Sequence, residues 1–271
     1  MKRFNPFHLV KQRPWPLISS VLAFDLVAST RVLIHRKVIY TLLLTQILLI
    51  LTAWNWWQDV HRERSSEGNH SPEVKKGLKL GIVLFIFSEI FFFLAFFWSF
   101  FHRRLSKTPE IGQSWPPLII EPFNPIRIPL LNTTVLLFSG ASITWSHHRI
   151  EEDSIKSIPS LLVTIRLGVL FTILQWIEYK EAPFSISDSI YGSRFFIATG
   201  FHGLHVIIGS VFLTISIIRN TLPSFNKKSL VGFECSAWYW HFVDVVWLFL
   251  YTFMYWWSFY FQQWKSHLTS N

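Results

Sequence analysis

The run LKLGIVLFIFSEIFFFLAFFWSFF, residues 78–101, decides the fold. It is almost wholly apolar, crowded with phenylalanine, and its one acid is Glu89. A helix crossing about 30 Å of hydrocarbon needs about 20 such residues. In lipid only helices and closed barrels satisfy their own backbone hydrogen bonds. The run therefore predicts a transmembrane helix. Working outward, six further stretches read the same way: 16–34, 38–57, 130–147, 157–178, 191–218 and 233–261. The first is the weakest, because Asp25 and Arg31 interrupt it. The second ends in Trp54, Trp56 and Trp57, an interfacial aromatic belt. The last is longer than a bilayer needs and should tilt or protrude. The expected fold class is an all-α membrane protein of seven transmembrane helices.

Between the spans the chain is polar and brief. The longest hydrophilic run is QDVHRERSSEGNHSPEVKKG (58–77). The connection TPEIGQSWPPLIIEPFNPIRIP (108–129) holds six prolines, which exclude a continuous helix. No soluble domain and no internal repeat stands out, which disfavours an inverted-repeat transporter. Only 15 % of residues are charged, against about 25 % in a soluble domain. The formal net charge of +9 sits in short clusters flanking the apolar runs. That is membrane-flanking charge rather than a nucleic-acid surface. Lys and Arg are denser in the segments that lie inside if the N-terminus is inside, which predicts that orientation. The start, MKRFNPFHLVKQRPWP, lacks an apolar core before a small-residue cleavage site, so no cleaved signal peptide is expected. The single cysteine, Cys235, excludes an intrachain disulfide and a CxxC metal site.

The polar residues within the spans are the functional candidates. Glu89 lies about 16 Å from either surface at 1.5 Å per residue. An ionisable group there costs on the order of 2.5–3.5 kcal/mol. It is expected to be buried and carried protonated, either in a proton-linked site or as a structural hydrogen-bond donor to another helix. His202 and His205, in GFHGLHVIIG, share a helix face. With no third ligand at suitable spacing, and with Gly200, Gly203 and Gly209 nearby, they read as interhelical hydrogen-bonding groups rather than metal ligands. His147 and His148 point about 100° apart and read as interfacial, which disfavours a b-type cytochrome. Glu234, His241 and Asp244 fall near one face of the last span and read as a polar network with a neighbouring helix, with a proton relay as the alternative. Arg62, Arg64, His70, Lys75 and Lys76, beside Trp56 and Trp57, suit anionic lipid headgroups, or are plain positive-inside charge.

Several long blocks resemble one family. SEIFFFLAFFWSFFH (88–102), SWPPLIIEPFNPIRIPLLNTTVLLFSGASITWSHH (114–148), YKEAPFSISDSIYGSRFFIATGFHGLHVIIGSVFL (179–213) and FECSAWYWHFVDVVWLFLYTFMYWW (233–257) look like subunit III of the haem–copper cytochrome c oxidases, of the mitochondrially encoded type. PWPL (14–17) and WWQDVHRE (56–63) extend the likeness over nearly the whole chain.

The resemblance implies a two-helix N-terminal arm (1–60) and a five-helix bundle (72–271), separated by a V-shaped lipid cleft. It implies no haem or copper in this chain; those belong to partner subunits. The implied role is to stabilise subunit I, the main contact, to hold structural phospholipids and to aid proton uptake. Subunit II and accessory subunits are the other implied partners, and no nucleic acid is expected. The implied location is the mitochondrial inner membrane, with the N-terminus in the matrix. Carried over by position, Glu89 matches the family's buried carboxylate, and Trp57, Arg62, Glu63, His70 and Arg219 match its lipid-headgroup contacts. Gln58 departs from the family's usual Arg after the tryptophan pair, which removes one phosphate partner. A second departure is the basic end of the third span, His102-Arg103-Arg104. The competing readings are subunit III of a quinol oxidase and an independent proton-coupled carrier.

Overall fold

A computed structural model describes residues 7–106, 115–117, 120–152, 155–221 and 230–269. Among the described residues seven long helices follow one another: α1 (Trp15–Arg36), α2 (Tyr40–Ser65), α3 (Pro72–Leu105), α4 (Ile128–Glu152), α5 (Ile158–Lys180), α6 (Ile190–Thr221) and α7 (231–269). The last is built from Val231–Leu250, a π-helical stretch Tyr251–Trp256, and Trp257–Thr269. Six of the seven are long and apolar enough to cross a membrane. The exception is α2. It is long enough, but Gln46, Asn55 and its three tryptophans lower its mean hydropathy. Tryptophan at a membrane surface is favourable all the same. The described part of the proline-rich connection is irregular up to Arg127.

The chain divides into two compact units, Met1–Leu78 and Lys79–Asn271. In the first, α1 closes on Lys37, which adopts a left-handed conformation and donates its N–H to the Leu33 carbonyl at 2.9 Å. That turn brings α2 back beside α1. Asp25, which weakened the first span in the sequence, accepts from the Thr45 hydroxyl at 2.6 Å. A carboxylate inside a span is thereby matched to a donor on the next helix. At the other end, Trp15 Nε1 donates to Asp59 at 2.6 Å, Arg13 reaches Glu63 at 3.2 Å and Lys11 reaches Glu67 at 2.9 Å. These three contacts pin the start of α1 and the segment ahead of it to the end of α2 and the residues just after it.

The second unit packs around two tryptophans on α7. Trp240 and Trp247 are seven residues apart and fully buried. Both donate their indole N–H to hydroxyls on α4, Trp240 to Ser139 and Trp247 to Thr133, each at 2.9 Å. The Trp240 ring lies in a slot between α5 and α6. A Cβ added to Gly168 would sit 2.6 Å from its edge, and one added to Gly209 would sit 2.9 Å from its face. Small residues at these places let the helices close on the ring. Gly203 meets nothing within 4 Å and Gly200 only the Tyr179 hydroxyl at 3.9 Å, so of the three glycines flanking His202 and His205, Gly209 alone marks close packing. Hydroxyl bridges stitch successive helices: Ser142 to Thr164 (2.7 Å), Tyr179 to Thr199 (2.6 Å) and Ser216 to Ser236 (3.3 Å). A π-helical stretch loosens the regular backbone bonding. The Tyr191 hydroxyl donates to the Met254 carbonyl there at 3.2 Å.

Two outcomes follow. Gly168→Val should displace Trp240 and destabilise the bundle by about 1–3 kcal/mol, whereas Gly203→Ala should leave the thermal midpoint of the purified protein unchanged. In the first unit, the hydrogen bond from Lys11 holds the Glu67 carboxyl below its ordinary range, and Glu67 raises the Lys11 ammonium. A carboxyl depressed by folding stabilises above its unfolded pKa, about 4.3, and ceases to do so as pH falls through its folded value. Amide exchange in residues 7–13 should therefore quicken on acidification below about pH 4.3, and Lys11→Ala should abolish that step. The pair is solvent-exposed, so the effect on global stability should be small.

Candidate functional site

Midway along α3, Glu89 points at α6. Its Oε2 lies 3.0 Å from His205 Nε2. The other ring nitrogen, Nδ1, lies 2.7 Å from the Phe201 carbonyl one turn earlier. A carbonyl only accepts, so Nδ1 carries a hydrogen. Nε2 and Oε2 then have one proton between them. Either the neutral imidazole accepts from a protonated Glu89, or the imidazolium donates to a carboxylate. Both assignments make each contact a hydrogen bond.

The surroundings are aromatic. Phe92 stacks near the His205 ring, Phe93 meets it edge-on at 5.0 Å, and Tyr239 and Phe242 from α7 close the far side. The His205 side chain is 9 % exposed and that of Glu89 21 % in the isolated chain. Glu89 is thus half-buried. Apolar walls of this kind strengthen the hydrogen bond and disfavour separated charges.

The five histidines and acids expected to form an interhelical network engage different helices. His202 is fully buried, donates through Nε2 to the Val243 carbonyl on α7 at 3.2 Å, and packs against Phe171 and Trp247. His205 serves Glu89. Glu234 forms an ion pair with Lys79 near the start of α3. His241 Nε2 reaches Thr144 on α4 at 3.5 Å, and its Nδ1 lies 4.0 Å from Asp244. The Asp244 carboxyl rests over Gly140 of α4, where an added Cβ would come within 2.7 Å of Oδ2. Glu234 is therefore not joined to His241 and Asp244.

Of the headgroup candidates, Trp57 and Arg62 are exposed. Glu63 is held by Arg13 and faces His8 at 3.9 Å. Half-buried His70 follows in the connection to α3, and Arg219 sits over Gly232. Burial, then the positive neighbours His8 and Arg64, lower the His70 pKa.

Sequence reasoning overlooked Lys79, which lies inside the run 78–101 read as a membrane span. It also overlooked Glu178, which is 1 % exposed at the end of α5, beside a chain in which Asn132 donates to Gln175 and Gln175 to Tyr255, each at 3.4 Å. The pattern Q-x-x-E, one helical turn apart, was the available signal. A hydrophobic carbodiimide activates a protonated carboxyl within lipid reach, so it should label Glu89 ahead of fully enclosed Glu178. Labelling of Glu178 in preference to Glu89 would contradict this arrangement.

Relatives place these residues in a family. The family model for cytochrome c oxidase subunit III matches residues 5–259. The chain is 54 % identical over 255 residues to cytochrome c oxidase subunit 3 of Homo sapiens, covering 94 % of this chain and 98 % of that one. It is 52 % identical over 255 residues to the protein of the same name from Rhipicephalus sanguineus, covering 94 % and 99 %. The counterpart in Oncorhynchus clarkii is 53 % identical over 255 residues, covering 94 % and 98 %. The chain therefore belongs to the cytochrome c oxidase subunit III family.

Proposed function

We propose that the chain works as the non-redox subunit III of a mitochondrial cytochrome c oxidase, respiratory complex IV. What carries this reading is the length of the likeness: relatives bearing that name align over nearly their whole length with nearly the whole of this chain. In that role haem and copper reside in partner subunits. The holoenzyme passes electrons from reduced cytochrome c to dioxygen and moves protons across the inner membrane.

The chain's own residues then act in two ways. Its helices supply apolar surface for neighbours. Along α3, Phe87, Phe91, Leu94 and Trp98 are exposed in the isolated chain, and such surface needs either lipid or subunit I and the other subunits against it. The Glu89–His205 pair holds one proton beside that surface and supports proton uptake by the complex. Trp57, Arg62, Glu63, His70 and Arg219 are read as contacts to structural phospholipids. There the arginines meet phosphate oxygens, and Glu63 accepts from a headgroup hydroxyl or ammonium. The N-terminus is read as facing the matrix.

The tests use the intact complex. The chain should co-purify with haem-bearing subunits. Glu89→Gln keeps the shape of the acid but cannot cede its proton. It should leave the haem spectra unchanged while slowing proton uptake at steady turnover, and loss of haem would overturn the non-redox role. Arg62→Ala and Arg219→Ala should lower the phospholipid retained per complex after detergent washing, as read by mass spectrometry. Unchanged lipid content would overturn the headgroup assignment. Transport of protons by the isolated chain in liposomes would favour the carrier reading. Oxidation of quinol but not cytochrome c by the complex would favour the quinol oxidase.

A further inference from the structure

We propose that Arg104, held on the face of Trp257 at the end of α3, binds the phosphate of a phospholipid whose acyl chain lies along the seam between α3 and α7. Arg104 closes the basic run His102-Arg103-Arg104 and is 7 % exposed. Its guanidinium carbon lies 3.2 Å from the centre of the Trp257 ring and 5.1 Å from that of Phe261. Among the described residues no carboxylate pairs with it. Its enclosed Nη1 meets no acceptor there either. Stacking occupies the face of a guanidinium and leaves its in-plane fork of N–H donors for oxygen acceptors. A buried charge left without a partner is costly. A phosphate fits the fork by taking two parallel N–H bonds.

Depth selects the kind of anion. Lys79, paired with Glu234, stands near the other end of α3. At 1.5 Å per residue Arg104 lies about 37 Å further along the helix. A bilayer is about 30 Å of hydrocarbon, or about 40–45 Å with its headgroups. With Lys79 at one headgroup layer, Arg104 reaches the other. Trp256, Tyr260 and Trp264 on α7 are exposed near Trp257 in the chain, as an interfacial aromatic belt would be. Half-buried Arg103 adds a second cation beside the first. From the guanidinium toward the membrane interior, rings of the two helices form a ladder. Trp257 meets Phe101 at 5.9 Å, and Phe101 meets Phe253 at 5.0 Å. Phe253 and Phe249 then meet Phe97 at 6.2 and 6.1 Å. Phe101 and Phe253 are half-buried and Phe249 is exposed, so the ladder has an outer side for an acyl chain to cover. An acidic side chain of another subunit would satisfy the fork but has no use for the ladder. A phospholipid satisfies both. The site shares no residue with the headgroup contacts read above, and Arg219 lies over Gly232 at the opposite end of α7.

The experiment uses the intact complex and phosphatidylglycerol carrying a photoreactive diazirine in one acyl chain. Illumination should label residues 97–101 or 249–257, as read by peptide mass spectrometry. Arg104→Gln should lower that labelling about tenfold, the scale of losing a charge-assisted contact. Arg104→Lys keeps the charge but not the fork and should restore part of it. Arg219→Ala should leave it unchanged. Unchanged haem absorbance and subunit content check that the variants assemble. Equal labelling of wild type and Arg104→Gln would overturn the site. A second arm needs no variant: a diacylglycerol with the same diazirine lacks the phosphate and should label wild type far less, and equal labelling would overturn phosphate recognition. Displacement of the label by inorganic phosphate would assign the fork to a free anion and overturn the lipid. Absence of label in wild type, with a neighbouring subunit lost from Arg104→Gln, would overturn it in favour of that subunit's acid.

Discussion

Everything in the second unit depends on the slot that takes Trp240. Lipid tails are as apolar as leucine, so helices in a bilayer gain nothing from simply hiding hydrocarbon from one another. They associate where backbones approach closely and where hydrogen bonds cross between them. Trp240 supplies both at once. Its ring fills the space that Gly168 and Gly209 leave on α5 and α6, and its N–H fixes α4 through Ser139. One side chain thus sets the spacing of four helices. The hydroxyl bridges between successive helices add individually small amounts, about 0.6 kcal/mol each in comparable proteins. They correct register rather than drive association. With α6 and α7 fixed this way, His205 and the aromatic wall behind it are positioned for Glu89.

Much of this was legible in the sequence. The spans could be read because a bilayer imposes a length and a polarity that few other environments demand. Glu89 could be singled out by depth alone. His205 could not be named as its partner, because the two lie 116 residues apart and periodicity reports only on neighbours within one helix. For the same reason Glu234, His241 and Asp244 looked like one seam. Helical spacing gives the face of a residue but not the helix opposite, and Lys79 drew Glu234 away to α3. Lys79 itself was masked by its place inside a run read for its apolar residues. The first unit shows the converse. Asp25 looked like a defect in its span until Thr45 appeared across the turn.

The π-helical stretch in α7 marks another limit. Angular reasoning at 100° per residue holds only while the helix is regular. Six residues at a wider pitch displace all later side chains around the axis, by on the order of one residue's rotation. Trp257 and Phe261 therefore stand where a continuous α-helix would not put them. There they cover the guanidinium of Arg104, at 3.2 and 5.1 Å from the ring centres. The basic end of α3, which looked out of place beside a membrane, is accommodated by aromatic faces whose position is set by that irregularity.

The shared proton of Glu89 and His205 has an electrical consequence. Whichever atom holds the proton, the two residues together carry no net charge. Shuttling it between oxygen and nitrogen reverses a small dipole and moves almost no charge through the bilayer. The site responds to the membrane potential only when a proton enters or leaves the pair. A unit charge crossing the whole membrane is worth about 2.3 kcal/mol per 100 mV, so one reaching a group midway along a span is worth about half of that. The pair is therefore electrically silent at rest and voltage-sensitive only in exchange with its surroundings.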